Sequence, residues 1–170
     1  QKTRQPKIII IIQMRSKLFA KKNLSQKQIP FTKDKQFYKN KRIHIGYFSA
    51  DFQNHATMYL ISEIFEKYNR KKFKVYVYSF GKSSHSDEVR QKLKKTVDVF
   101  RDVIDFDEKN IALLSREDNI DIAVDLMGYT RNSRPKIFAF RAAPIQINFL
   151  GYPGTLGADF MDYIIADTVI

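Results

Sequence analysis

Residues 43–60, IHIGYFSADFQNHATMYL, decide the fold. Residues 43–48 are apolar and aromatic, as a buried strand requires. Residues 49–55 form a polar loop, and a helix is expected from near Thr57. Beyond it Met58, Ile61, Phe65 and Tyr68 recur at steps of three, four and three, a stripe suited to packing on a sheet. In an open α/β sheet, a strand that runs through a polar loop into a helix marks the rim where ligands bind. The loop carries Asp51, Asn54 and His55 ahead of the Thr57 hydroxyl, where free backbone N–H groups at a helix start can meet a phosphate or sugar oxygen.

Outward from this stretch the alternation continues. Residues 73–80, FKVYVYSF, read as a second strand. A helix follows with Asp87 near its start and Val89 and Leu93 inward. Residues 97–103 read as a third strand, and Asp107 as the cap of a helix bearing Ile111 and Leu114. Residues 120–127, IDIAVDLM, read as a fourth strand buried on both faces. A short helix over 135–140 precedes a fifth strand over 144–150, and residues 162–166 can add a sixth. Alternating strands and helices imply right-handed crossovers and a doubly wound, mostly parallel α/β sheet. The loops 51–57, 128–134 and 151–157 all leave carboxyl ends of strands, so they are expected to converge.

The net charge of +12 is unevenly spread. Residues 1–42 hold 13 of the 30 basic residues and a single acid, Asp34, which leaves 17 basic and 17 acidic residues for the rest. The excess therefore sits in the leader, read as a basic helix and linker over 1–40, while the neutral body argues against nucleic acid as partner. In that leader Ile8, Ile11, Ile12, Leu18 and Phe19 fall roughly on one helical face, although the run 8–12 also suits a strand. Five apolar residues are too few for a signal-peptide core, and no membrane-spanning run is present. The chain has no cysteine. Three scattered histidines, His44, His55 and His85, give no metal-ligand spacing.

Singly, each loop is weak evidence. A loop histidine beside a carboxylate is more often a surface residue than a catalytic one. The glycines of 150–157, LGYPGTLG, permit close approach of backbone to a ligand, yet also make an ordinary turn. Arg131 and Arg134 could pair with phosphate or an acidic peptide, or be solvated.

Taken together, SADFQNHAT, VDLMGYTRNSRP and RAAPIQINFLGYPGTLGADFMDYIIAD closely resemble the catalytic region of the O-GlcNAc transferase family, over about residues 41–167. The resemblance implies that 41–170 is the first, Rossmann-like lobe of a GT-B glycosyltransferase. Such an enzyme moves N-acetylglucosamine from UDP-GlcNAc to Ser or Thr hydroxyls of proteins, inverting the anomeric carbon without metal or cofactor. The family's D-F-x-N-H-P-T motif falls on Asp51, Phe52, Asn54, His55 and Thr57, which implies His55 at the diphosphate-sugar, Asp51 in proton handling and Thr57 near the sugar. Leu150, Gly151 and Pro153 are implied to line the sugar pocket, with Arg131 and Arg134 on the acceptor side. Ala56 stands where the motif has proline, and Val99 where relatives often carry histidine.

The resemblance further implies tetratricopeptide repeats in the complete protein, a cytoplasmic and nuclear location, and a second lobe that supplies most uridine and pyrophosphate contacts. Because residue 1 is Gln and residue 170 falls in an apolar run, the sequence reads as part of a longer polypeptide. Residues 1–170 alone are accordingly expected to be inactive. Two alternatives are a SPINDLY-like fucosyltransferase using GDP-fucose, which Gly154 and the first motif disfavour, and a non-catalytic interaction module.

Overall fold

The computed structural model describes residues 16–24, 40–82, 84, 86–152 and 154–166. The expected run 8–12, His85 and Pro153 lie outside them. Six strands form one sheet: β1 (Ile43–Ser49), β2 (Phe73–Ser79), β3 (Val99–Asp102), β4 (Ile122–Asp125), β5 (Ile145–Phe149) and β6 (Tyr163–Ile165). Their order is β3-β2-β1-β4-β5-β6, and every neighbouring pair is parallel. This is the doubly wound Rossmann order, in which the chain winds outward from β1 in one direction and then from β4 in the other.

Helices cover both faces. On one, α2 (Ala56–Lys67) and α3 (Glu88–Thr96) lay Met58, Ile61, Phe65 and Leu93 over Val75, Val77 and Val124. On the other, α4 (Glu108–Glu117) and α5 (Lys136–Ala139) lay Ile111, Ala112, Ile137 and Phe138 over Phe48, Tyr78 and Ala123. Phe48 stacks on Tyr78 with ring centroids 4.5 Å apart and meets Phe138 edge-on at 5.4 Å. Ala123 and Val124 enter opposite clusters, so β4 is buried on both faces as its apolar run predicts.

β4 is nevertheless shorter than that run. Its exit is turned by Asp125, whose carboxylate accepts from the N–H groups of Met127 (2.9 Å) and Gly128 (3.0 Å). At its entry the Ile120 N–H donates to Ser115 O (3.1 Å) after Asn119 takes a positive φ of 54°. Each end is thus set by a hydrogen bond that an apolar count does not register.

Residues 16–23 are helical (α1). Their inward face is Ser16 and Ala20, with Leu24 following, at steps of four, and Ala20 and Leu24 join the α4–α5 cluster. Leu18 and Phe19, which the spacing puts roughly on one apolar face, are both exposed, at 66% and 48%. The helix starts tightly against the loop after β5, where a Cβ at Gly157 would lie 2.6 Å from Lys17 N and 2.9 Å from Ser16 Cβ, so large residues would be excluded there. Phe19 instead meets the edge of Tyr129 at 5.0 Å. No helix among the described residues is long and apolar enough to cross a membrane.

Gln146 holds α5 and β6 to the sheet. It is fully buried; its Nε2 donates to Phe138 O (3.0 Å) and Phe160 O (2.6 Å), and its Oε1 accepts from Ala142 N–H (2.8 Å). Gln146→Leu keeps the volume and leaves Phe138 O and Phe160 O with their Arg141 donors (2.9 Å each), but it orphans the buried Ala142 N–H, so urea unfolding should show a loss of about 1–3 kcal/mol.

Candidate active site

The sheet order reverses between β1 and β4, and the loops after β1, β4 and β5 crowd that rim. The first loop starts at buried Ser49, whose Oγ donates to Met127 Sδ (3.1 Å) and accepts from Asp51 N–H (2.9 Å). Phe52 is buried under α2 and α3, and Gln53 N–H closes a tight turn on Asp51 O (2.8 Å). The Asn54 side-chain oxygen accepts from Tyr59 OH (2.7 Å).

His55 is the N-cap of α2, with extended φ −148° and ψ 151°. Its Nδ1 accepts from Thr57 N–H (3.3 Å) and lies 3.2 Å from Thr57 Oγ1. An accepting Nδ1 assigns the proton of the neutral ring to Nε2. Nε2 has no partner among the described residues, so the half-exposed ring offers a donor rather than a base. Asp51 Oδ2 stands 3.6 Å from Nδ1. A protonated ring would turn its new N–H towards Asp51 and release the cap. Burial raises the Asp51 carboxyl, against the opposing pull of His55.

The second and third loops are built against each other. A Cβ at Gly128 (φ 59°) would overlap the Tyr152 side chain, and one at Gly151 (φ 33°) would overlap the Leu126 carbonyl. Tyr129 OH donates to Leu156 O (2.7 Å), and its ring meets Tyr152 edge-on at 5.7 Å. Leu150 also has a positive φ, 59°, and Tyr152 N–H closes on its carbonyl. For a γ-branched residue this left-handed geometry costs about 1 kcal/mol, held by the surrounding packing.

Between the first and third loops lies a cleft of about 570 Å³, lined by Ala56, Thr57, Leu60, Leu150, Gly151 and Ile164 among others. Thr57, Leu150 and Gly151 are therefore brought together across 93 residues of chain. His55 and Asp51 sit next to this cleft along the loop rather than in its wall. Arg131 is exposed on the second loop. Arg134 is turned away: its Nε donates to Glu108 Oε1 (3.2 Å) and its Nη2 to Phe106 O (2.5 Å), which ties it to the start of α4. No cluster of three or more metal-ligating side chains exists among the described residues.

The sequence reading missed the buried polar pair beneath this rim. Asp125 accepts from Asn148 Nδ2 (3.3 Å) as well as from the two backbone N–H groups. Burial pushes its carboxyl up to about 6, against the lowering effect of those three donors. Asn148 contributes to the cleft wall, and its Oδ1 is buried with no partner among the described residues. The available signal was a carboxylate two residues before Met127-Gly128, the spacing of an Asx-turn.

Two outcomes follow from this geometry. His55 already has the backbone that precedes proline, and position 56 is the first residue of α2, where proline is tolerated. Ala56→Pro should therefore raise stability by about 0.4–1 kcal/mol in chemical denaturation. For Asp125, a folded value above the unfolded one means the native state binds the extra proton. Its contribution is complete below about pH 4 and lost as pH rises through about 6, by roughly 2–3 kcal/mol. Urea midpoints of wild type minus Asp125→Asn, taken from pH 4 to 7, should fall across that window.

The sequence matches glycosyl transferase family 41 over residues 8–170. It is 37% identical over 130 residues to a probable UDP-N-acetylglucosamine–peptide N-acetylglucosaminyltransferase SEC of Arabidopsis thaliana, covering 76% of this chain and 13% of the relative. Identity is 40% over 129 residues to the UDP-N-acetylglucosamine–peptide N-acetylglucosaminyltransferase of Caenorhabditis elegans, covering 75% and 11%. It is likewise 40% over 129 residues to an Arabidopsis thaliana SPINDLY protein, covering 75% and 14%. The fold superposes on a mutant O-GlcNAc transferase of Thermobaculum terrenum with TM-score 0.79 at 29% identity, covering 92% of this chain and 30% of that one. The chain thus spans a small part of the length of these relatives, and it belongs to glycosyl transferase family 41.

Proposed function

We propose that residues 41–170 form the first lobe of a protein O-GlcNAc transferase, preceded by a basic helix and linker over 1–40. The complete protein transfers N-acetylglucosamine from UDP-GlcNAc to Ser or Thr hydroxyls of protein acceptors, with inversion and with no metal or cofactor. The observation that carries this reading is the junction of His55 and Thr57, at the open N-terminus of α2, with the cleft shared by Leu150 and Gly151.

Each part has a task in such a reaction. The Nε2–H of His55 donates to a diphosphate or sugar oxygen, in line with the positive end of the α2 dipole. Thr57, Leu150 and Gly151 shape the sugar side. Asp51 stands beside the ring and accepts Nδ1–H only when the imidazole takes up a proton. Arg131 stands towards the acceptor, whereas Arg134 has to leave Glu108 before it can meet a substrate. In-line displacement also needs the leaving UDP stabilised, and the described residues offer no lysine beside His55 for that work. A second lobe supplies it in this reading, with tetratricopeptide repeats selecting acceptors in the cytoplasm and nucleus.

The test is a transfer assay on the full-length polypeptide with an acceptor peptide, comparing UDP-GlcNAc with GDP-fucose. GlcNAc transfer is expected, with His55→Ala lowering kcat by about 100-fold or more and residues 1–170 alone inactive. Fucose transfer would install the SPINDLY-like reading. Activity with neither donor would leave the interaction module.

A further inference from the structure

The histidine loop has little regular backbone pairing of its own, yet α3, from a separate crossover, grips it on both sides of Gln53. Asp87, the N-cap of α3, divides its carboxylate: Oδ1 accepts from Arg90 N–H (2.9 Å), the capping bond, while Oδ2 accepts from Asn54 N–H (2.8 Å). Arg90 is 3% exposed, and its Nη1 donates to Phe52 O (3.3 Å) and to Ser79 Oγ (2.6 Å). Its Nη2 pairs with Asp102 at 2.6 Å, and the guanidinium lies 4.8 Å from the Phe100 ring centroid. One side chain thus joins the loop to the ends of β2 and β3, and the other holds the residue directly before His55. We propose that Asp87 and Arg90 are positioning residues for His55, the fixture that sets the imidazole over the donor site. This rests on the donor-site reading above.

A burying guanidinium is rarely worth its desolvation for stability alone, and here it is spent on a loop carbonyl as well as on Asp102. Position 56 is alanine, so the loop lacks the fixed φ that proline would give at the helix start. Partial burial works to raise the Asp87 carboxyl, but the N–H groups of Asn54 and Arg90 outweigh it and hold it below the usual carboxylate range. At neutral pH the brace is therefore charge-assisted.

Removing Arg90 outright would also strip Ser79 and Asp102 of their guanidinium partner, so the decisive variant is Asp87→Asn. Asparagine caps a helix as well as aspartate does, but has one oxygen. Given to Arg90 N–H, that oxygen leaves an NH₂ facing the Asn54 N–H. The control is Asp107→Ala, which removes the same kind of cap from α4 (Asn110 N–H to Oδ1, 2.7 Å) without touching the loop. In the full-length protein, Asp87→Asn should keep the wild-type Tm while kcat falls about tenfold with little change in the KM for UDP-GlcNAc. Asp107→Ala should lower Tm with kcat unchanged. Unchanged kcat in Asp87→Asn, or an equal kcat loss in Asp107→Ala, overturns the inference and leaves the proposed function standing. A wild-type protein without transferase activity overturns both.

Discussion

Parallel pairing of β1 with β4 is the constraint on which the rest of the structure depends. Phe48 and Asp125 are register partners there, and past them the two strands diverge into loops because the crossovers on either side wind in opposite directions. That divergence leaves a crevice at the carboxyl rim with α2 pointing its N-terminus into the same region. Both core clusters serve this arrangement. The α2–α3 side fixes where the helix starts, and the α4–α5 side fixes the loops after β4 and β5.

Polar groups buried beneath the rim complete what apolar packing begins. Asp125 turns the chain after β4, Asn148 ties β5 to that turn, Gln146 closes α5 and β6, and Arg90 ties the first loop to β2 and β3. Such groups cost desolvation unless their bonds are made in one geometry, so they select one loop arrangement over near alternatives. The left-handed Leu150 belongs to the same pattern: strain is accepted next to the cleft and held by the contacts of Gly151 and Tyr152. The rim is consequently the part of the lobe where local preferences are overruled.

The strands, α2 and the rim loops were legible because their signals are local: β-branched runs, a stripe at Met58, Ile61 and Phe65, and aspartates at helix starts. What the sequence hid is long-range or a matter of size. Asp125 lies inside an apolar run, and nothing in that run reveals that Asn148, 23 residues later, shares its burial. Arg134 looked free because Glu108, 26 residues earlier, belongs to another helix. Leu18 and Phe19 share an apolar face by spacing alone, whereas the buried face of α1 is Ser16 and Ala20. Thr57, Leu150 and Gly151 were placed together by topology, and the cleft between them has a volume that no spacing rule specifies.

Hydrogen–deuterium exchange of the full-length polypeptide, with and without saturating UDP-GlcNAc, tests most directly whether this rim is a sugar-nucleotide site. Protection confined within this lobe to peptides spanning residues 53–58 and 149–152 is the result the account predicts. Ligand binding with those peptides unprotected would contradict it.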